Sequence, residues 1–191
     1  RKIEEKNLDN ILVNEINADL TSTTNVTKSK QLDENIGICF MGPSAKGPFD
    51  IEEEVAKAML RTTGNPNGKP NSDVIKRVAS AIDLVQEQRN KWTIDFALMS
   101  EEEAAGYEMP FEYVKKHVYP VRSQNRRVAY AQKWWQYAEA RPGLRKALES
   151  KNRFIATPGV SKHRIFVWMD KNVLCNQGTL VVTRDDDYFF G

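Results

Sequence analysis

Apolar and polar positions along this chain change period several times, and the changes divide it into elements. Ile36-Gly37-Ile38-Cys39-Phe40-Met41-Gly42 is a short apolar run bounded by glycine and proline, the pattern of a strand. Asp50 can cap a helix from Ile51 to about Arg61, with Glu52, Glu53 and Glu54 at its positive end. Gly64 to Asn71 is rich in glycine and proline and reads as a loop, followed by a short helix from Asp73 to about Ser80. Trp92 to Leu98 alternates large apolar and smaller groups, as a half-buried strand does. Ser100 caps the next helix, and Glu103 completes a capping box.

The middle of the chain has helical spacing. Phe111 to Val118 and Ser123 to Ala140 read as helices separated at Pro120, with another turn or two from Arg141-Pro142-Gly143 to Ser150. On the 123–140 segment, Val128, Ala131, Trp135 and Ala138 form the expected core stripe. Arg127, Tyr130, Trp134 and Tyr137 fall on a neighbouring stripe, which puts Trp135 inside and Trp134 at a boundary among cations. Arg153 to Thr157, Ile165 to Met169 and Thr179 to Thr183 read as strands. The expected fold is therefore α+β: a mixed β-sheet, a helical subregion around residues 100–150 and an extended N-terminal arm. Residues 1–34, polar and rich in Asn, Asp, Thr and Ser, form the arm or linker; residues 35–191 form the domain.

Charge changes the picture more than composition does. Lys115 to Lys171 holds 14 Lys/Arg against Glu139, Glu149 and Asp170, a local balance of +11 in a chain whose net charge is +2. Clustered cations release counterions from a polyanion, so the block points to nucleic acid. A solvated face balanced by acids elsewhere in the fold gives the same pattern. No apolar run approaches the ~18 residues of a membrane span, and the charged start lacks a signal peptide. With no secretory signal, the Asn25-Val26-Thr27 glycosylation pattern reads as accidental. Cys39 and Cys175 read as buried thiols of a reducing, cytoplasmic compartment.

Catalytic chemistry is hard to find. Gly42-Pro43-Ser44-Ala45-Lys46-Gly47 spaces two glycines like a phosphate loop, but Pro48 follows where Lys and Ser/Thr are needed. His117 and His163 stand without a Cys/His cluster, which argues against zinc. Asp185-Asp186-Asp187 reads as a divalent-cation site or a solvated turn. Asp95 reads as a catalytic acid or a carboxylate capping nearby backbone. No nucleophile stands with a base, so the expected catalytic, metal and cofactor-binding residues are none, and the segment reads as a binding module.

An ordered series of short motifs carries a resemblance over about Ile16 to Gly191. It runs through Gly47-Pro48-Phe49, Asn67-Gly68-Lys69-Pro70-Asn71-Ser72-Asp73-Val74, Trp92-Thr93-Ile94-Asp95-Phe96 and Tyr107-Glu108-Met109-Pro110-Phe111. It continues through Val118-Tyr119-Pro120-Val121-Arg122, Trp134-Trp135, Arg141-Pro142, Ser161-Lys162-His163 and Asp185-Asp186-Asp187. The chain resembles the target-recognition region of large bacterial adenine-specific DNA methyltransferases, of the fused single-chain restriction–modification type. The resemblance implies double-stranded DNA and an upstream methyltransferase domain of the same polypeptide as partners. It also implies S-adenosylmethionine as the cofactor of the parent enzyme only, since this chain has no Asn/Asp-Pro-Pro-aromatic loop. The chain then reads as a piece of a longer polypeptide that continues past Gly191, without methyltransferase activity of its own. The expected DNA-binding residues are Arg122, Arg126, Arg127, Lys133 and Trp134 on the helical segment, and Lys162, His163 and Arg164 on a loop between strands. The alternative is a docking module whose basic face meets an acidic partner within the same enzyme. A small-molecule enzyme is a third possibility.

Overall fold

The computed structural model describes residues 5–18, 20–23, 29–30, 32–86 and 89–190, and Asn25-Val26-Thr27 lies outside them. It separates into two units, 1–36 and 37–191. In the first, β1 (Lys6–Leu8) and β2 (Ile11–Val13) pair antiparallel, with Lys6 opposite Val13. Asp9 and Asn10 between them have φ of 49° and 64°. Two left-handed residues give a turn whose twist matches a two-residue hairpin, and Asp and Asn tolerate that region. The expected extended arm therefore contains a hairpin.

The second unit begins with β3 (Cys39–Met41), β4 (Asp50–Ile51), α1 (Glu53–Arg61), β5 (Ile75–Ala79), α2 (Ala81–Val85) and β6 (Lys91–Ile94). Five helices follow: α3 (Glu101–Ala105), α4 (Glu108–His117), α5 (Tyr119–Arg122), α6 (Val128–Gln132) and α7 (Pro142–Leu148). The described chain closes with β7 (Arg153–Pro158), β8 (Val167–Asp170), β9 (Val173–Cys175), β10 (Thr179–Val182) and α8 (Asp187–Phe190). One sheet has the order β3-β10-β7-β8, antiparallel throughout. The other has the order β4-β6-β5-β9, with β9 parallel to β5, so it is mixed. The fold is α+β, with a helical stretch between the strands at 101–148.

Local expectations survive where the signal is local. Ser100 Oγ accepts from the Glu103 N–H at 3.2 Å and Glu103 Oε2 from the Ser100 N–H at 2.7 Å, so the capping box forms. Long-range pairing overrides propensity elsewhere. Asp73 to Ser80 is not a helix: Ile75 to Ala79 is the strand β5, flanked on both sides by β6 and β9. Asp50 caps nothing, because Asp50 and Ile51 pair with Thr93 and Trp92 and the helix starts at Glu53.

The 123–140 segment is helical only at α6. Past it the chain runs through turns at 133–136 to Glu139, which bridges to Ser44. The expected core stripe dissolves with the helix: Val128 is 65% exposed. Cys175 is buried as expected, but Cys39 is exposed on β3, the edge strand of its sheet.

Two apolar clusters fill the second unit. One gathers Phe49, Ile94, Phe96, Phe111, Val114, Val118 and both tryptophans. The other gathers Leu144, Phe154, Ala156, Cys175 and Val181. The strand register sets which loops share an end of the β3-β10-β7-β8 sheet. Met41 lies opposite Leu180, Thr179 opposite Pro158, and Ala156 opposite Val167. Residues 42–48, 176–178 and 159–166 thus leave one end, and Lys151 and Asp185 to Asp187 belong to the other.

Gly42 marks the tightest approach at the first end, since a Cβ there would lie 2.2 Å from the Asn176 carbonyl oxygen. Gly42→Ala is expected to cost about 3 kcal/mol or more by overpacking, a fall in Tm of roughly 6–12 °C for a domain of this size. Thermal melts check it, and an unchanged Tm would refute the close approach.

Candidate nucleic-acid interface

Arg122 ends α5 with its side chain inside the protein, 1% exposed. Its guanidinium donates to the carbonyls of Ala45 (2.8 Å), Lys46 (3.3 Å), Tyr130 (3.2 Å) and Gln136 (3.2 Å) and lies 5.0 Å from the Tyr130 ring centroid. Among the described residues no carboxylate pairs with it. Burial lowers its pKa, yet a guanidinium stays charged. Arg122 is thus not available for phosphate contact, which corrects the sequence reading.

Trp134 is corrected too. It is 6% exposed and Trp135 8%, so the two do not differ in burial. Trp134 packs against Phe111, Tyr119 and Trp135 with ring centroids 5.3, 5.1 and 5.9 Å away. Trp135 Nε1 donates to the Met99 carbonyl at 2.9 Å. Tyr137, expected on the boundary stripe, is buried as well, with its hydroxyl against Thr93 Oγ1 at 2.5 Å. The cause is the end of α6 at Gln132: without helical spacing, neighbouring residues need not alternate between faces.

The basic block sorts into spent and free cations. Lys115 pairs with Glu112, Arg141 with Glu139, Arg145 with Asp95, Lys151 with Asp185 and Arg153 with Asp187. Asp186 pairs with Arg184, so the three consecutive aspartates serve a local charge network rather than standing free for a cation. Asp95, 4% exposed, accepts from the Ala97 N–H at 3.0 Å and pairs with Arg145 at 2.9 Å; it caps backbone and anchors α7.

Lys116, Arg126, Arg127, Lys133, Lys146, Lys162, Arg164 and Lys171 have no carboxylate partner among the described residues. Arg126, Arg127 and Lys133 are exposed around α6. Arg127 Nη1 donates to the Tyr130 hydroxyl at 2.8 Å, which fixes its side chain over that ring. Lys162, His163 and Arg164 are exposed on the β7–β8 connection, where Arg164 Nη1 reaches the Pro158 carbonyl at 3.2 Å. Val160 on the same connection is 93% exposed.

The α6 region and the β7–β8 connection are linked by topology. Arg122 ties Tyr130 and Gln136 to the loop after β3, and that loop leaves the same sheet end as residues 159–166. The aspartates 185–187 belong to the opposite end, so Lys162 and Arg164 do not neutralise them. Lys46, outside the 115–171 window, joins the free cations at this end. Its position follows from the β3–β10 register, which no local pattern shows.

No protein-family model matches this chain, and no curated protein matches it. Among solved structures, it matches one of the Type IIL restriction-modification enzyme MmeI in complex with DNA, at a TM-score of 0.63 and 14% sequence identity. The match covers 94% of this chain and 24% of that one. The chain therefore has the fold of part of a restriction–modification enzyme, and it spans less than a quarter of that enzyme's length. No helix of the described residues is long and apolar enough to cross a membrane.

Trp134→Ala and Trp135→Ala are both expected to cost about 3–5 kcal/mol as large-to-small core changes. Arg122→Lys keeps the charge but cannot span four carbonyls, and is expected to cost about 2–4 kcal/mol through orphaned buried acceptors. Chemical denaturation of the three variants checks these values. A mild Trp134→Ala beside a severe Trp135→Ala would restore the boundary placement.

Proposed function

We propose that this chain is a DNA target-recognition domain of an S-adenosylmethionine-dependent, adenine-specific DNA methyltransferase of restriction–modification type. A separate methyltransferase domain of the same polypeptide would supply the cofactor site and extract the base. The observation that carries this reading is the set of exposed cations without carboxylate partners among the described residues, Arg126, Arg127 and Lys133 with Lys162 and Arg164, on segments tied to one end of the β3-β10-β7-β8 sheet. Unpaired surface cations release counterions when they meet phosphates. The ordered motifs and the shared fold support the same class of protein. In this reading Arg126, Arg127 and Lys133, which flank α6, hold phosphates, because exposed cations can meet a phosphate from many directions whereas base edges demand a set geometry. The exposed 159–166 connection suits base edges, with Lys162 and Arg164 as guanine donors. Such a domain works in the cytoplasm, beside the DNA it reads.

Titration of a labelled duplex at two salt concentrations tests the reading. Affinity is expected on the order of micromolar or weaker at physiological salt, with a steep salt slope. Arg126→Ala or Arg127→Ala is expected to lower the slope by about one and weaken all sequences alike. In the full-length enzyme, Lys162→Ala or Arg164→Ala is expected to change which sites are methylated, each lost pair being worth about 1–3 kcal/mol of discrimination. Salt-independent binding, or binding to the enzyme's N-terminal portion with no interest in DNA, would favour a docking module instead.

A further inference from the structure

We propose that the turn Ala45-Lys46-Gly47 is a phosphate-binding loop that takes one phosphodiester of a duplex. This rests on the DNA reading above and assigns that surface a contact that the basic block does not contain.

The geometry begins with Arg122. Its Nη1 holds the carbonyls of Ala45 and Lys46 from beneath, at 2.8 and 3.3 Å. In a planar trans peptide the N–H points opposite to the C=O. The N–H groups of Lys46 and Gly47 therefore face away from the guanidinium. Neither donates a hydrogen bond among the described residues. Lys46 is exposed, and its ammonium likewise has no partner among them. Two adjacent free amides beside an ammonium form an anion-binding concavity.

The buried guanidinium adds to it. It polarises the two peptide units so that their amide ends are more positive, and its own charge is uncompensated by any described carboxylate. Lys46 holds φ of 49°, in the left-handed region where glycine would be less strained. The chain keeps a cation there at that conformational cost. Beside the loop lies a hollow of about 240 Å³ whose lining includes Ser44, Lys46 and Gly47 with Val78, Leu174 and Asn176, and Asp50 is its one carboxylate among the described residues.

The loop does not suit a nucleoside triphosphate. Pro48 removes the next amide, and the strand β4 follows where a phosphate loop would open a helix. Two amides and one ammonium match a single phosphate group. The loop leaves the same sheet end as residues 159–166, and Arg122 ties it to the α6 region, which places it with the other unpaired cations.

The test follows amide resonances of the ¹⁵N-labelled chain during titration with a duplex, and separately with inorganic phosphate. The Lys46 and Gly47 amide protons are expected to move downfield with the duplex. Inorganic phosphate at the same phosphate concentration is expected to move them little. Lys46→Gly relaxes the backbone, so it is expected to keep Tm while weakening duplex binding roughly tenfold and lowering the salt slope by about one. Resonances of the unsubstituted chain decide the matter even if the variant folds poorly.

A duplex that moves the Arg126, Arg127 and Lys133 amides but leaves Lys46 and Gly47 unmoved overturns the loop and spares the DNA reading. No duplex binding at low salt overturns both. An equal response to inorganic phosphate makes the loop a free-anion site and overturns the phosphodiester assignment.

Discussion

A buried guanidinium with no carboxylate partner among the described residues satisfies its donors on backbone carbonyls, and that requirement organises the centre of this fold. Arg122 draws four carbonyls from the loop after β3, from α6 and from the segment beyond it. Leaving such donors unpaired in a low-dielectric interior costs several kcal/mol per charge. The surrounding chain therefore bends to them. Tyr130 and Gln136 must both face the same group, six residues apart, which a continuous helix from 123 to 140 would not allow at its ordinary rise and rotation. The helix stops at Gln132, and the residues after it run inward, carrying Trp134, Trp135 and Tyr137 into the core.

A second buried charge is handled in the opposite way. Asp95, just past the end of β6, meets Arg145 on α7, so the ion pair ties the mixed sheet to the last helix of the helical stretch. Here the charge is neutralised within the protein and projects nothing outward. The acids 185–187 do the same for Lys151, Arg153 and Arg184 at the far end of the other sheet. Asp185 to Asp187 pair with cations at one end, and Lys46, Lys162 and Arg164 stand without a carboxylate partner among the described residues at the other, although Lys171 at the first end is unpaired too.

The loops at that end rest on the sheet register rather than on their own composition. Gly42 lets the chain pass against the Asn176 carbonyl, Ser44 pairs across to Glu139, and Arg141 reaches back toward the Gly42 carbonyl at 3.4 Å. Together these contacts fix the path of residues 42–47, burying Pro43 and Ser44 and packing Ala45 on the core. Only the Lys46 side chain on that path is left exposed.

Local rules made part of this protein legible. The Ser100/Glu103 capping box, the strands around Phe40, Thr93, Ile155 and Val181, and the helix through Phe111 to His117 all follow from residues within one or two turns of each other. So does the concentration of positive charge, since it is a property of composition. Pairing between distant segments decided the rest. Ile75 to Ala79 became a strand because β6 and β9 flank it, and β9 lies almost a hundred residues further along the chain. Arg122 became structural because its acceptor at Ala45 is 77 residues away. Trp134 went inside because the helix that would have turned it outward ends first. The sequence by itself determined the α+β class, the charge asymmetry and the helix start capped by Ser100, each a short-range property. Which cations are buried, which are paired and which remain free was decided only by the tertiary structure, because desolvation and ion pairing depend on neighbours that the chain brings together from afar.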